Sequence, residues 1–547
     1  MKKRRSRIWT PPPRLRETAR YMLFNSYLFL LLFLPIALAG HYLAGAISLR
    51  LAAFWLCLTS FVFYGWWNPQ FVALLALSIA FNYVVSRLIL RFAGHARLQG
   101  LVTALGVGAD LAALFHYKYF ATLFNFLGEW GLTQGGMHEL ILPLGISFFT
   151  FTQIGYLLDC RSGIVKERSL LSYVLFVTFF PHLIAGPILH HKEMMPQFAQ
   201  PDNYRFRADN LSIGGTLFVI GLAKKVLLAD EIAPYADAGF AAPGELQFWA
   251  AWGASLSYAL QLYFDFSGYS DMALGLARMF GIRFPLNFNS PYKAGSIIDF
   301  WARWHMTLTR YLTAYLYYPV AMAISRAREK RGLSVGSSAA RTPGGFAATI
   351  VVPTLFTMGL AGIWHGAGLQ YVIFGLLHAF YLSVNHAWRI FVVSRKPAAA
   401  RKSGRGVQAL CVVITFIAVL IAQTFFRAHG VGDAMLLLKA MAGLRGVEAL
   451  ESLSHVQGLA LGDAIRLAIG HHMQLALVLL LLAIAWFTPN AHQILGRFSP
   501  AMFKVQEAPR AWMRWRPSAG WTAVTLVLLF LCLVNLHKET RFLYFQF

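Results

Sequence analysis

Stretches of about twenty apolar residues, the length a helix needs to cross the hydrocarbon of a bilayer, recur along almost the whole of this chain. They fall near 21–40, 46–66, 70–92, 100–127, 140–158, 170–190, 210–229, 247–265, 346–364, 369–391, 407–427, 469–487 and 518–537. A backbone in lipid must satisfy its own polar groups, which successive helices do. The expected fold class is therefore an all-α polytopic membrane protein with about 11–13 transmembrane or re-entrant helices. Composition excludes a soluble alternative: 57% of the residues are hydrophobic and 13% charged, where soluble domains carry roughly a quarter charged.

The charge that remains is one-sided, with 48 Lys and Arg against 23 Asp and Glu for a net +25. These cations stand between apolar windows and form no stripe beside stacking aromatics, so no nucleic acid partner is expected. Residues 1–20 read as a basic cytoplasmic segment, since Lys2, Lys3, Arg4, Arg5, Arg7, Arg14, Arg16 and Arg20 precede the first apolar run. That run is long and no small-x-small cleavage site follows it, which favours an anchored span over a signal peptide. Residues 21–547 then form a single polytopic membrane domain with a catalytic core at about 140–430. Arg326, Arg328, Lys330, Arg331 and Arg341 lie before the windows at 346–391, and Arg395, Lys396, Arg401, Lys402 and Arg405 lie after them. Both loops are expected on the cytoplasmic side, so the two windows form a hairpin whose turn is near Trp364–Leu369. Arg91 and Arg97 fall on the opposite side if every window crosses, which leaves the total parity open. Pro143, Pro181 and Pro187 interrupt their windows. Broken helices of this kind are tolerated only inside protein or beside a wet cavity.

The sharpest local signal is Gly359-Leu360-Ala361-Gly362-Ile363-Trp364-His365-Gly366-Ala367-Gly368, one imidazole in a glycine-rich turn between two apolar windows. An ionisable group in a membrane is a functional candidate by default, and imidazole suits proton transfer near neutral pH. The glycines admit two readings: close approach of a substrate to the ring, or tight helix packing with the histidine as polar glue. Trp301, Trp304, His305 and Leu308 follow i, i+3, i+4, i+7 spacing, so the segment 299–319 reads as one amphipathic interfacial or re-entrant helix. Asp299 and Arg303 have the favourable order for an ion pair on it. Asp265 and Asp271 are six apart and turn away from each other on a helix. Each is expected to hold a polar partner or face a cavity. His182, His190 and His191 read as loop or cavity residues without metal-type spacing. Cys57, Cys160, Cys411 and Cys532 stand alone, and no metal site is expected. The sequence has no G-x-S-x-G, H-E-x-x-H or Walker loop, so serine hydrolysis, zinc proteolysis and ATP-driven pumping lose support.

Six segments in this order resemble the membrane-bound O-acyltransferase family, on its bacterial branch of alginate O-acetylation and D-alanyl transfer membrane proteins. They are Phe63-Tyr64-Gly65-Trp66-Trp67-Asn68-Pro69, Leu142-Pro143-Leu144-Gly145-Ile146-Ser147-Phe148-Phe149-Thr150-Phe151, Phe180-Pro181-His182-Leu183-Ile184-Ala185-Gly186-Pro187, Tyr263 to Asp271, Phe300 to Thr309, and Trp364-His365-Gly366. The closing Phe542 to Phe547 is similar to the end of alginate-type members.

The resemblance implies a ring of helices around a central funnel, with His365 as the family's active-site histidine and general base and His305 as its second, upstream histidine. It also implies a cytoplasmic acyl thioester donor, acetyl-CoA or another, and no bound cofactor. The acceptor is then an exported polysaccharide, alginate-like or another exopolysaccharide or cell-wall glycan, reached directly or through a periplasmic acetyltransferase partner. The location implied is the bacterial inner membrane, among its lipids. Trp304, His305, Asn287 and Asn289 are the expected donors toward oxyanion charge, and Asp265, Ser267 and Trp364 the further substrate contacts. A transporter or flippase would use the same broken helices for alternating access, but the inverted repeats such folds carry are not visible here. An acyltransferase acting on a lipid or protein, and a binding scaffold, are the remaining alternatives.

Overall fold

The computed structural model describes residues 22–133, 136–137, 140–395, 404–448 and 461–538, and no strand occurs among them. The basic segment 1–20 and the Phe542–Phe547 motif lie outside the described residues. Four long helices come first: α1 (Phe29–Ile47), α2 (Leu49–Trp67), α3 (Pro69–Arg91) and α4 (Ala96–Lys118). The helices α5 (Ile146–Arg161) and α6 (Leu170–Thr178) follow, then α7 (Ala208–Ala241) and α8 (Phe248–Met279). Two short pieces, α9 (Ile297–Trp301) and α10 (Met306–Leu312), precede the pair α11 (Pro343–His365) and α12 (Leu369–Ala387). The chain continues through α13 (Arg405–Arg427), α14 (Leu461–Phe487) and α15 (Ala519–Asn535). Among the described residues, seven of these, α1 to α4, α7, α11 and α13, are long and apolar enough to cross a membrane. The protein is an all-α, multi-pass membrane protein.

Local chemistry sets several boundaries. Asn68 ends α2 and caps α3, its side chain accepting from Gln70 N at 3.0 Å with Pro69 at the first helical position. Gly145 starts α5 from a left-handed conformation, φ 72°, and a Cβ there would stand 2.7 Å from the Leu183 carbonyl oxygen. Both facts demand glycine. They also press the segment around Pro143 onto the one around Pro181.

The window at 247–265 is shorter than the helix it belongs to. α8 runs on to Met279 because the carboxylates that lower its hydropathy are met from α7. Lys225 Nζ lies 2.6 Å from Asp265 and 2.7 Å from Asp230, and Lys224 Nζ lies 2.6 Å from Asp271, which His492 also contacts at 2.8 Å. The two helices come this close through reciprocal glycines. A Cβ on Gly214 or Gly275 would lie 2.6 Å from the other's carbonyl oxygen, and one on Gly221 would lie 2.6 Å from that of Gly268. Small residues that let backbones touch are the main way helices associate in lipid.

The window at 170–190 is broken at its prolines, as expected: α6 ends at Thr178, Pro181 sits in a single turn at Phe180–Leu183, and the next helix starts at His191. One further expectation changes: the segment 299–319 is not one helix. It breaks after Trp301, and His305 takes φ 41° and ψ 52° before α10 begins. The Asp299–Arg303 pair forms across that break, at 2.8 Å.

Candidate active site

Where these helices converge, the chain encloses a cavity of about 300 Å³. Its wall is built from the Ile141–Phe148 segment, Leu262, Asp265 and Phe266 of α8, Phe300 to Leu308, the end of α11, Phe374 and His378 of α12, and Val419, Gln423 and Phe426 of α13. Ile184, with Trp67 and Lys118 at the ends of α2 and α4, completes it. Three imidazoles share this one space: His305, His365 and His378.

His365 is the last residue of α11. Its ring lies edge to face with Trp364, Phe374 and Phe426, at 4.7, 5.9 and 4.9 Å between centroids, and meets no hydrogen-bond partner among the described residues. The turn is pinned from outside, since Lys118 Nζ donates to the Trp364 carbonyl and Tyr119 Oη donates to that of Ile363 at 2.8 Å. The glycines around the turn are in close contact with neighbouring segments. A Cβ on Gly362 or Gly375 would strike the backbone of Tyr371 or Met358, and one on Gly366 would strike the Tyr371 ring. These glycines serve helix and side-chain packing, while the histidine between them faces the cavity.

His305 is held from behind. Its Nδ1 is 3.0 Å from Asn287 Oδ1, which also accepts from Thr307 N at 3.3 Å and Thr307 Oγ1 at 2.8 Å. Asn287 Nδ2 donates to Ser270 Oγ at 3.1 Å, and because the Thr307 N–H can only donate, the amide orientation is determined. Two backbone bonds of 2.9 Å, Met306 N to Asn287 O and Asn289 N to Arg303 O, clamp the turn that gives His305 its positive φ. A non-glycine residue there costs on the order of 1–2 kcal/mol, which this clamp offsets. His305 Nε2 has no hydrogen-bond partner among the described residues.

The other expected site residues divide by position. Trp304, Trp364 and Asp265 line the cavity, the last with Lys225 at its back. Asn287 stands behind His305, and Asn289 Oδ1 accepts from Asn490 Nδ2 at 3.0 Å, away from the cavity wall. Ser267 is buried and outside that wall. His182, His190 and His191 are all buried and none lines this cavity: His190 lies in the irregular stretch 187–190, as expected of a loop residue, whereas His182 and His191 sit in short helices, His191 Nδ1 3.0 Å from Asp159. Three polar cavity residues were not singled out from the sequence: Lys118, Gln423 and His378. A lone histidine inside the apolar window at 369–391 was the available signal for the last.

The chain matches the family model described as MBOAT, membrane-bound O-acyltransferase family, over residues 112–338. It is 40% identical over 458 residues to a peptidoglycan O-acetyltransferase of Helicobacter pylori, covering 78% of this chain and 81% of that protein. It is 36% identical over 427 residues to a probable alginate O-acetylase of Pseudomonas aeruginosa, covering 77% and 75%. A teichoic acid D-alanyltransferase of Bacillus subtilis is 29% identical over 280 residues, covering 51% and 67%. These matches and the all-helical membrane architecture identify the chain as a member of the membrane-bound O-acyltransferase family.

Proposed function

We propose that this acyltransferase moves an acetyl group from cytoplasmic acetyl-CoA, or another acyl thioester, across the bacterial inner membrane for O-acetylation of an exported polysaccharide. The observation that carries this reading is the meeting of His365 and His305, from distant segments, on the wall of one cavity. Neutral His365 takes the proton of an acceptor hydroxyl as its oxygen attacks the thioester carbonyl, a form of assistance worth roughly a hundred- to ten-thousandfold. The departing thiolate then receives that proton. The chain needs no bound cofactor for this.

Size limits what enters. Ligand pockets start at about 300 Å³, and this cavity of about 300 Å³ suits an acyl thioester end with one sugar edge or one side-chain hydroxyl. A polymer must therefore present its hydroxyl at the rim, or a periplasmic acetyltransferase partner must collect the acyl group and pass it on. The basic residues before α11, from Arg326 to Arg341, are exposed or partly exposed. We put them and the N-terminus on the cytoplasmic side, where they attract a polyanionic donor. The named activities of the relatives, acetylation of peptidoglycan or alginate, support a glycan acceptor. The test is mass analysis of exported polysaccharide from a deletion strain with and without the full chain restored. Ester groups that disappear and return with the gene support the proposal, and a polymer of unchanged ester content refutes it.

A further inference from the structure

His378 on α12 is 1% exposed and lines the same cavity as His365 and His305. Its Nδ1 receives the indole N–H of Trp301 at 3.2 Å. An indole nitrogen only donates, so Nδ1 carries the lone pair and the ring's single proton sits on Nε2. His305 is wired the opposite way. Asn287 Oδ1 must be an acceptor because it also takes the backbone N–H of Thr307, so His305 holds its proton on Nδ1. Its Nε2 is then the acceptor. The cavity thus contains one imidazole set as a donor and one set as an acceptor, while His365 is free to take and return a proton. A second proton on His378 would set two N–H groups head to head at Trp301, so this ring is unsuited to act as a base.

We propose that the His378 Nε2–H donates to the thioester carbonyl oxygen during acyl transfer, and that Trp301 sets the ring in that role. The inference rests on the acyl-transfer reading above. As the acceptor oxygen bonds to the carbonyl carbon, its proton passes to His365 and the carbonyl π electrons move onto the oxygen facing His378. When those electrons return, the carbon–sulfur bond breaks and the thiolate takes the proton from His365. His378 keeps its own proton throughout. Phe374, with its ring 4.8 Å from that of His378, and Phe300, at 6.2 Å, border the donor with apolar surface, where such a bond is worth more than in water.

Inverted membrane vesicles holding the full chain and its native polymer, fed [14C]acetyl-CoA, provide the test. His378→Asn places an amide oxygen where Nδ1 stands and keeps Trp301 satisfied, but its donor does not reach the Nε2 position. His378→Gln places an amide N–H near that position. The expected result is a turnover for Asn about 100- to 1,000-fold below wild type, the usual loss for one such donor, with the KM for acetyl-CoA little changed. Gln is expected to retain a rate within about tenfold of wild type by the same reasoning. Asn equal to or better than Gln, at matched protein level, means that His378 only accepts from Trp301 and overturns the proposal. If neither variant accumulates, Trp301→Phe decides: without the indole N–H the ring can move its proton to Nδ1 and turn a lone pair toward the carbonyl, so turnover should fall with the KM for acetyl-CoA little changed, and unchanged turnover overturns the proposal. His365→Ala in the same vesicles separates the two readings, because activity surviving that change sinks acyl transfer by this cavity altogether.

Discussion

Replacing Asn287 by leucine removes one acceptor on which three donors converge, His305 Nδ1, Thr307 N and Thr307 Oγ1, together with the donor to Ser270. The two hydroxyls can rotate toward other partners. The Thr307 N–H cannot, and His305 escapes only by moving its proton to Nε2. Hydrogen bonds measured inside membranes average about 0.6 kcal/mol, whereas a buried donor left unsatisfied costs about 1–3 kcal/mol. Two orphaned donors therefore cost between about 1 and 6 kcal/mol, with the lower part of that range applying if the imidazole changes tautomer. That escape turns the cavity's acceptor into a second donor. Asn287→Leu is thus expected to lower the unfolding temperature in detergent and also to lower acetyl transfer per folded molecule. Asn287→Asp keeps an acceptor for His305 and Thr307 and is expected to retain far more activity. Wild-type transfer by folded Asn287→Leu would refute the assignment of His305 Nε2 as a working acceptor.

Other perturbations separate chemistry from packing. His305→Ala should reduce turnover much more than the amount of protein in the membrane, as read by transfer rate against immunoblot. His191→Phe, in a buried cluster outside the cavity, should lower thermal stability while leaving the rate per folded molecule unchanged. Lys225→Met removes the ammonium that pairs with the buried carboxylates of Asp265 and Asp230 and should cost about 3–5 kcal/mol, the usual effect of removing one partner from a buried ion pair. Gly221→Leu should block the approach of α7 to α8 and prevent accumulation of folded protein. Gly215→Ala, with no atom within 4 Å of the added methyl, should be neutral in the same assay.

Apolar length and proline position made the helical architecture legible, because lipid leaves the backbone few alternatives. Asn68-Pro69 and Leu142-Pro143-Leu144-Gly145 could be read as a helix boundary and a break because capping and positive φ act locally. Periodicity misled at Trp301 to Leu308. The four residues share a cavity wall, but through a turn held by Asn287 and Asn289, whose partnership with Arg303 and Met306 spans a distance no spacing rule records. The length of α8 was hidden for a similar reason: its carboxylates look unfavourable for a membrane helix until Lys224 and Lys225 of α7 are placed beside them. His378 is the clearest case. In the sequence it is one histidine in an apolar window, and only the indole of Trp301, on another segment, fixes which nitrogen carries the proton.

The most direct test of the account is His365→Ala, measured as labelled acetyl groups reaching exported polysaccharide in cells where the variant is present in the membrane at wild-type level. Abolished transfer with normal insertion is the predicted result. Acetylated polymer at wild-type amounts would contradict the claim that this imidazole drives the reaction.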